Sequence, residues 1–310
     1  MGTRRESGVC LAFAGTESFL PGAVVAVASF LKQHPRFGGG MVFFHHGLPE
    51  ARCAALAEAF PPLRFEPVNP ALRERMERLV AARPDLQSRL LDLYSLEAFR
   101  IEGYRKVLYC DCDLLFRRSI DDLFEKEDAL VCCGDLEQLR GICHDAATYR
   151  PVEDSSAAGQ RGVLERTFNC GLLLIDACLT GERVYAELLA LVSPDTWRGT
   201  ETVLTDQFLL NRQFAGRQTL VSAAYNYRLH IAGAIRAREG LSAEEARVLH
   251  FSGPVKPWTP VAMLRWTRGE AHVLPHPVFG LWYEAWMEYL ASAHLQAAVG
   301  RRPVEREDAQ

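Results

Sequence analysis

The sequence predicts an α/β fold, a parallel-type sheet covered by helices on both faces, and two observations carry that prediction. Short apolar runs of strand length alternate with longer stretches of helical period, the pattern of repeated β-α units. The chain also has 310 residues of which 48% are hydrophobic, enough to bury a substantial core in one large domain or two modest ones.

The elements follow in order. Val9 to Ala14 (VCLAFA) reads as a buried strand, Gly15 to Ser18 as a turn, and Pro21 opens a helix running through Ala23 to Gln33. MVFFHH (41–46) is a second strand, 50–60 a helix, Leu63 to Val68 a third strand before another helix, and 84–103 a further helical stretch. KVLYC (106–110) is a short strand that ends on Asp111 and Asp113. Ser119 to Phe124 suits a short helix capped by Ser119, and ALVCCG (129–134) is again a strand. Residues 136–166 lose all period, which marks a functional loop or lid. NCGLLLID (169–176) restores a strand, 177–192 a helix, and TDQFLLNRQF (205–214) another. A turn through Gly253, Pro254 and Pro257 leads to an amphipathic helix over 277–299 and a solvated tail, RRPVEREDAQ. The expected organisation is one domain over 1–260, with 261–310 as a helical extension and tail.

Composition excludes several functions. Thirty-five basic against 39 acidic residues leave a formal charge of −4, so no global excess of Lys or Arg advertises a nucleic-acid surface. The nine cysteines are odd in number and several sit inside strand-like runs, Cys110 and Cys112 being read as strand packing, which favours packed thiols in a reducing compartment. No run reaches the roughly 18 apolar residues that span a bilayer, and the N-terminal run is broken by Gly15, Thr16, Glu17 and Ser18, unlike a signal peptide. A cytoplasmic protein is expected.

Asp-X-Asp at the carboxyl end of a strand projects two oxygen ligands to nearly one place, where open α/β sheets bind their ligands. Hard divalent cations such as Mg²⁺ or Mn²⁺ take such oxygens and bridge them to phosphates; a strand-end turn or helix cap is the other reading. Three further segments bear on the choice. FNCGLLLID (168–176) puts Asn169 just before an apolar strand, TDQFLLN (205–211) puts Asp206 and Gln207 at a helix start, and HFSGPVKPW (250–258) combines His250, a glycine turn and Lys256. Singly each reads as a turn residue, an N-cap or a surface loop. Their joint appearance in this order favours a site.

The ordered set KVLYCDCDLLF, FNCGLLLID, TDQFLLN and HFSGPVKPW resembles glycosyltransferase family 8, retaining enzymes that include glycogenin and bacterial lipopolysaccharide galactosyl- and glucosyltransferases. The resemblance runs from about Val9 to Trp258. It implies a GT-A type nucleotide-diphospho-sugar transferase fold with a mixed, mostly parallel sheet flanked by helices, Mn²⁺ (or Mg²⁺) as cofactor, a UDP-sugar donor and a saccharide or glycoconjugate acceptor. It also implies that Asp111, Asp113 and His250 ligate the metal, with Asp111 also on the ribose side, and that Lys256 and the backbone at Gly253 meet the diphosphate. Asp135, Asn169, Cys170, Asp206 and Gln207 would face the donor sugar, and Ala14, Thr16 and Phe19 the nucleoside. Of the residues beside the reacting carbon, Asp206 is chemically able to be a nucleophile, whereas Gln207 only orients or stabilises.

The chain departs from the family at several positions. Thr16 replaces a frequent acid, Phe19 a tyrosine and Phe208 the second acid of an Asp-Gln-Asp pattern. A basic residue usual in the helix before the Asp-X-Asp strand aligns with Ser95 or Arg100. His45 and His46 read as structural, and His144 and Asp145 as solvated loop residues, with acceptor contact the alternative. Zinc is disfavoured because no C-x₂-C pair exists. Trp282, Tyr283, Trp286 and Tyr289 form an aromatic stripe, read as core packing or the contact of a homo-oligomer; peripheral membrane contact is argued against by the few basic residues there. Two rival functions are a nucleotidyltransferase, for which no basic triphosphate loop is found, and a sugar-nucleotide-binding module without catalysis.

Overall fold

The computed structural model describes residues 8–152, 160–269 and 278–299. Thirteen strands are present among them: β1 Val9–Gly15, β2 Gly40–His45, β3 Leu63–Pro67, β4 Lys106–Cys110, β5 Leu114–Phe116, β6 Leu130–Gly134, β7 Cys143–Asp145, β8 Pro151–Val152, β9 Val163–Leu164, β10 Phe168–Asp176, β11 Gln218–Val221, β12 Tyr227–Arg228 and β13 Val248–His250. Seven form the main sheet, in the order β11-β6-β10-β4-β1-β2-β3. All neighbours in it are parallel except β10, which runs antiparallel to both β4 and β6.

The central strands are buried on both faces, which is why β1, β2 and β4 read as continuous apolar runs rather than alternating ones. Cys10, Ala12, Val42 and Phe44 share one core with Leu72, Met76 and Leu79 of the helix Pro70–Ala82. The stretch expected as a helix over 84–103 consists of 3-10 turns from Pro84 to Arg100. Its apolar residues explain the tighter winding. Leu90, Leu93, Leu96 and Phe99 recur every third residue, the spacing that a 3-10 helix stacks on one side, and all four are buried.

Three other expectations are corrected. Residues 136–166 are not without structure: a helix spans Leu136–Leu139, and β8-β7-β9 form a small antiparallel sheet, residues 153–159 lying outside the described ones. The helix near Ser119 begins only at Asp121; the Ser119 hydroxyl accepts from the Asp121 N–H at 3.1 Å. Cys112 is not in a strand but in the turn after β4, where its thiol donates to the Ala14 carbonyl at 3.4 Å.

The chain divides into two compact units, Met1–Pro254 and Val255–Gln310. In the second, two residues of the aromatic stripe are core: Trp282 and Tyr283 are buried, Trp266 stacks on Tyr283 at 4.5 Å, and the Tyr283 hydroxyl donates to the Pro257 carbonyl at 2.8 Å, whereas Trp286 and Tyr289 are half-buried. The tail RRPVEREDAQ lies outside the described residues. Among the described residues no helix is long and apolar enough to cross a membrane.

Candidate active site

Asp111 and Asp113 follow β4 directly, and no helix starts there for either to cap. His250 reaches them through strand register. In a second, three-stranded sheet β13 lies between β12 and β5; it runs antiparallel to β5 with His250 opposite Leu114, so the histidine falls beside Asp113. The Phe251 N–H donates to the Asp113 carbonyl at 2.9 Å and locks that register. Ligand atoms of Asp111, Asp113 and His250 then lie within 4.8 Å of one another. His250 Nε2 is 3.2 Å from Asp113 Oδ1 and 3.6 Å from Asp111 Oδ2. Asp113 and His250 are buried, whereas the Asp111 side chain is 37% exposed, so the cluster is walled on one side and open on the other. Two hard anionic oxygens and an imidazole fit a divalent cation.

Two residues that sequence reasoning missed shape this cluster. Tyr109, two residues before Asp111 and therefore on the same face of the strand, donates its hydroxyl to Asp111 Oδ1 at 3.1 Å. Gly171 leaves room for the triad: a Cβ there would lie 2.4 Å from His250 Cε1 and 2.9 Å from Asp111 Oδ2. Its φ is not in the left-handed region, so close approach and not backbone freedom requires the glycine.

Around the triad, Asn169 pairs with Cys133 of β6, and β10 changes register against β6 immediately after it, between Asn169 and Leu173. Asn169 Oδ1 accepts from the Gly171 N–H at 3.0 Å, and its amide donates to Gln207 Oε1 at 3.3 Å. Gln207 Nε2 donates to Asp135 Oδ2 at 3.1 Å. Asp135 caps the helix Leu136–Leu139 through Gln138 N at 2.9 Å and accepts the Thr167 hydroxyl at 2.8 Å.

The helix Thr205–Gln213 is not capped by either polar residue at its start. Its N-cap is Leu204; Thr205 donates instead to the Arg89 carbonyl at 2.7 Å. Asp206 Oδ1 accepts from the Gln207 N–H at 2.7 Å, and Oδ2 from the Ser95 hydroxyl at 3.1 Å. Ser95 is thus the residue of the preceding helical stretch that reaches the site. Arg100 pairs elsewhere, with Glu97 and Glu66. Burial pushes the Asp206 carboxyl well above the carboxylate range, reinforced by the negative charges of Asp92 and Asp111. Cys170 is buried too; desolvation, then the charges of Asp206 and Asp111, keep its thiol protonated and unreactive. Phe208 fills the core between Tyr149 and Trp197, edge-on to both at 5.4 Å.

Ala14, Thr16 and Phe19 lie at the end of β1 and in the turn after it, joined to the aspartates by the Cys112–Ala14 contact. Gly253, with φ of 115°, sits in open space just beyond β13. Lys256 falls in the second unit, where its carbonyl accepts from Thr259. His144 is buried against Tyr149, with ring centroids 4.6 Å apart.

Among solved structures, the galactosyltransferase LgtC in complex with donor and acceptor sugar analogs is similar with a TM-score of 0.60 at 22% identity, over 87% of this chain and 99% of that one. The glycosyltransferase GlyE of Streptococcus pneumoniae TIGR4 is similar with a TM-score of 0.54 at 17% identity, over 93% of this chain and 64% of that one. These likenesses show a shared GT-A fold. No curated protein sequence matches the chain. The family described as "Glycosyl transferase family 8" matches residues 10–262, most of the chain and every strand described above. The protein therefore belongs to glycosyl transferase family 8 and is a glycosyltransferase.

Proposed function

We propose that the enzyme is a divalent-metal-dependent, retaining hexosyltransferase. It moves a glucose- or galactose-type sugar from a UDP-sugar to a hydroxyl of a saccharide or glycoconjugate. The observation that carries this reading is the convergence of Asp111, Asp113 and His250 within 4.8 Å, beside the hydrogen-bonded Asn169, Gln207 and Asp135. Mn²⁺ or Mg²⁺, when bound, supplies Lewis-acid stabilisation of the departing diphosphate. Asp113 and His250, both buried, would hold it together with Asp111, which Tyr109 orients by donating to Oδ1. Gly253 lets the backbone approach the diphosphate. Ala14, Thr16 and Phe19 receive the nucleoside; Asp135, Asn169 and Cys170 line the donor sugar.

Asp206 and Gln207 take different parts. A nucleophilic carboxylate must be ionised, and burial of Asp206 opposes that. This supports attack by the acceptor hydroxyl on the face the diphosphate leaves, its proton passing to the departing phosphate. Gln207 positions the sugar, held in place by Asp135 and Asn169. The nine cysteines are all free, which supports a reducing compartment such as the cytoplasm.

The test is UDP release from UDP-hexoses with and without Mn²⁺. Turnover that needs the metal and is abolished in a folded Asp113→Ala variant is expected; undiminished turnover in EDTA refutes the metal role. NMR of the fresh product is expected to show an α-linkage from an α-linked donor, and a β-linkage refutes retention.

A further inference from the structure

His250 ligates through Nε2 only if, in its neutral form, the proton resides on Nδ1. The residue facing Nδ1 is Asn226, which is fully buried just before β12 and has no place in the ligand set argued above. Asn226 Oδ1 is 2.7 Å from His250 Nδ1, and Asn226 Nδ2 donates to Asn169 Oδ1 at 2.9 Å.

We propose that Asn226 is a positioning residue for the metal site: it terminates a directional chain of amides, Asp135–Gln207–Asn169–Asn226, that fixes His250 as the Nδ1–H tautomer and leaves the Nε2 lone pair for the cation. The polarity is set at two places by groups that have no choice. Asp135 accepts two further hydrogen bonds, from Gln138 N and Thr167 Oγ1, so the group of Gln207 facing its carboxylate is the NH₂, and Gln207 Oε1 faces Asn169. Independently, the Gly171 N–H only donates, so the Asn169 atom it meets is Oδ1. Asn226 must then present its NH₂ to Asn169 and its oxygen to His250. An oxygen facing Nδ1 demands a proton there.

Strand geometry makes the arrangement rigid. Arg228 pairs with His250 and Tyr227 with Leu249 in the parallel β12–β13 ladder, so Asn226 is carried in by the strand next to the one that carries His250. The chain also joins the sugar-side residues to the metal side. A shift of Gln207 is transmitted through Asn169 to the imidazole without any change of charge. Outer-sphere partners of ligating histidines orient the ring and select its tautomer, and their loss weakens metal binding by about 10- to 100-fold.

The inference rests on the metal role proposed above, and the experiment separates the two. Long-range ¹H–¹⁵N spectra of histidine-labelled, metal-free protein are recorded at about pH 9, with His250 assigned from a His250→Gln variant. The wild-type ring is expected as Nδ1–H. Mn²⁺ binding, followed by the EPR signal of the free ion, is expected to weaken about 10- to 100-fold in Asn226→Ala and to recover in Asn226→Asp, which still accepts from Nδ1. A merely structural role ranks these variants in reverse, because a new buried charge is worse than a truncation. An Nε2–H wild-type ring overturns the relay whether or not either variant folds. Mn²⁺ affinity unchanged in Asn226→Ala also overturns it. A wild-type protein that binds no Mn²⁺ overturns the metal role and this inference with it.

Discussion

Replacing Gly171 by alanine probes the crowding at the cation cluster through one added carbon. The new Cβ would lie 2.4 Å from His250 Cε1, 2.8 Å from Nδ1 and 2.9 Å from Asp111 Oδ2, where ordinary contact begins at 3.4 Å. The imidazole must retreat by the difference, 3.4 minus 2.4, or 1.0 Å, and the carboxylate by 3.4 minus 2.9, or 0.5 Å. A displacement of about 1 Å among reacting groups costs about 100-fold in rate, so Mn²⁺-dependent turnover is expected to fall about that far. Overpacking costs about 1–3 kcal/mol, and the stiffer unfolded chain returns about 0.4–1 kcal/mol, leaving a net loss of about 1–2 kcal/mol. The fold survives that, so the rate loss is measurable on native protein. Initial rates against Mn²⁺ concentration and a urea denaturation curve provide the two readouts. Gly233→Ala, at an exposed helical glycine with nothing within 4 Å, is the control and is expected to keep wild-type rates. Mn²⁺ dependence and kcat of Gly171→Ala within about twofold of wild type refute the reasoning.

Tyr109→Phe removes one hydrogen bond to Asp111 and nothing else, so Mn²⁺ binding is expected to weaken about fivefold, the equivalent of about 1 kcal/mol, with the melting profile unchanged. A loss beyond about 100-fold would mean that Tyr109 does more than orient the carboxylate. Asp206→Asn tests the buried acid in metal-free protein. The native state holds the Asp206 proton more tightly than the unfolded chain does, so wild-type stability is lost as pH rises from the ordinary value of 3.8 through the raised native one. The asparagine variant is expected to gain on wild type across that window in denaturant midpoints. A stability gap independent of pH would refute the raised value.

The order of strands and helices was legible over most of the chain because it rests on periodicity, and six of the seven strands of the main sheet coincide with an apolar run read as a strand; β11, four residues beginning on the polar Gln218, was not read. The direction of β10 was not. An antiparallel strand buried on both faces has the same composition as a parallel one, so NCGLLLID alone conveys no direction. The Asp-X-Asp pair, Asn169, Asp206, Gln207 and His250 were visible because they are polar residues set against apolar runs. Their hydrogen-bond partners were hidden for opposite reasons. Tyr109 and Gly171 are ordinary residues within strands, and their roles come from a shared face and from a missing Cβ. Asn226 stands between two tyrosines with no spacing relation to His250, and only the β12–β13 register brings them together. The small sheet within 136–166 escaped because strands of two or three residues are shorter than any period that could reveal them.

The register of β13 against β5 bears on when the site can exist at all. Asp111 and Asp113 are made early and are surrounded by finished strands, yet His250 and the Phe251 N–H that clasps Asp113 come from the last strand of the first unit. A nascent chain emerging N-terminus first cannot offer a complete binding site until that strand has left the ribosome and docked. A cation that prefers the docked form rewards closure of a very long loop, so its free energy of binding is spent on completing the fold. A divalent ion bound there would be a checkpoint on assembly as well as a reagent.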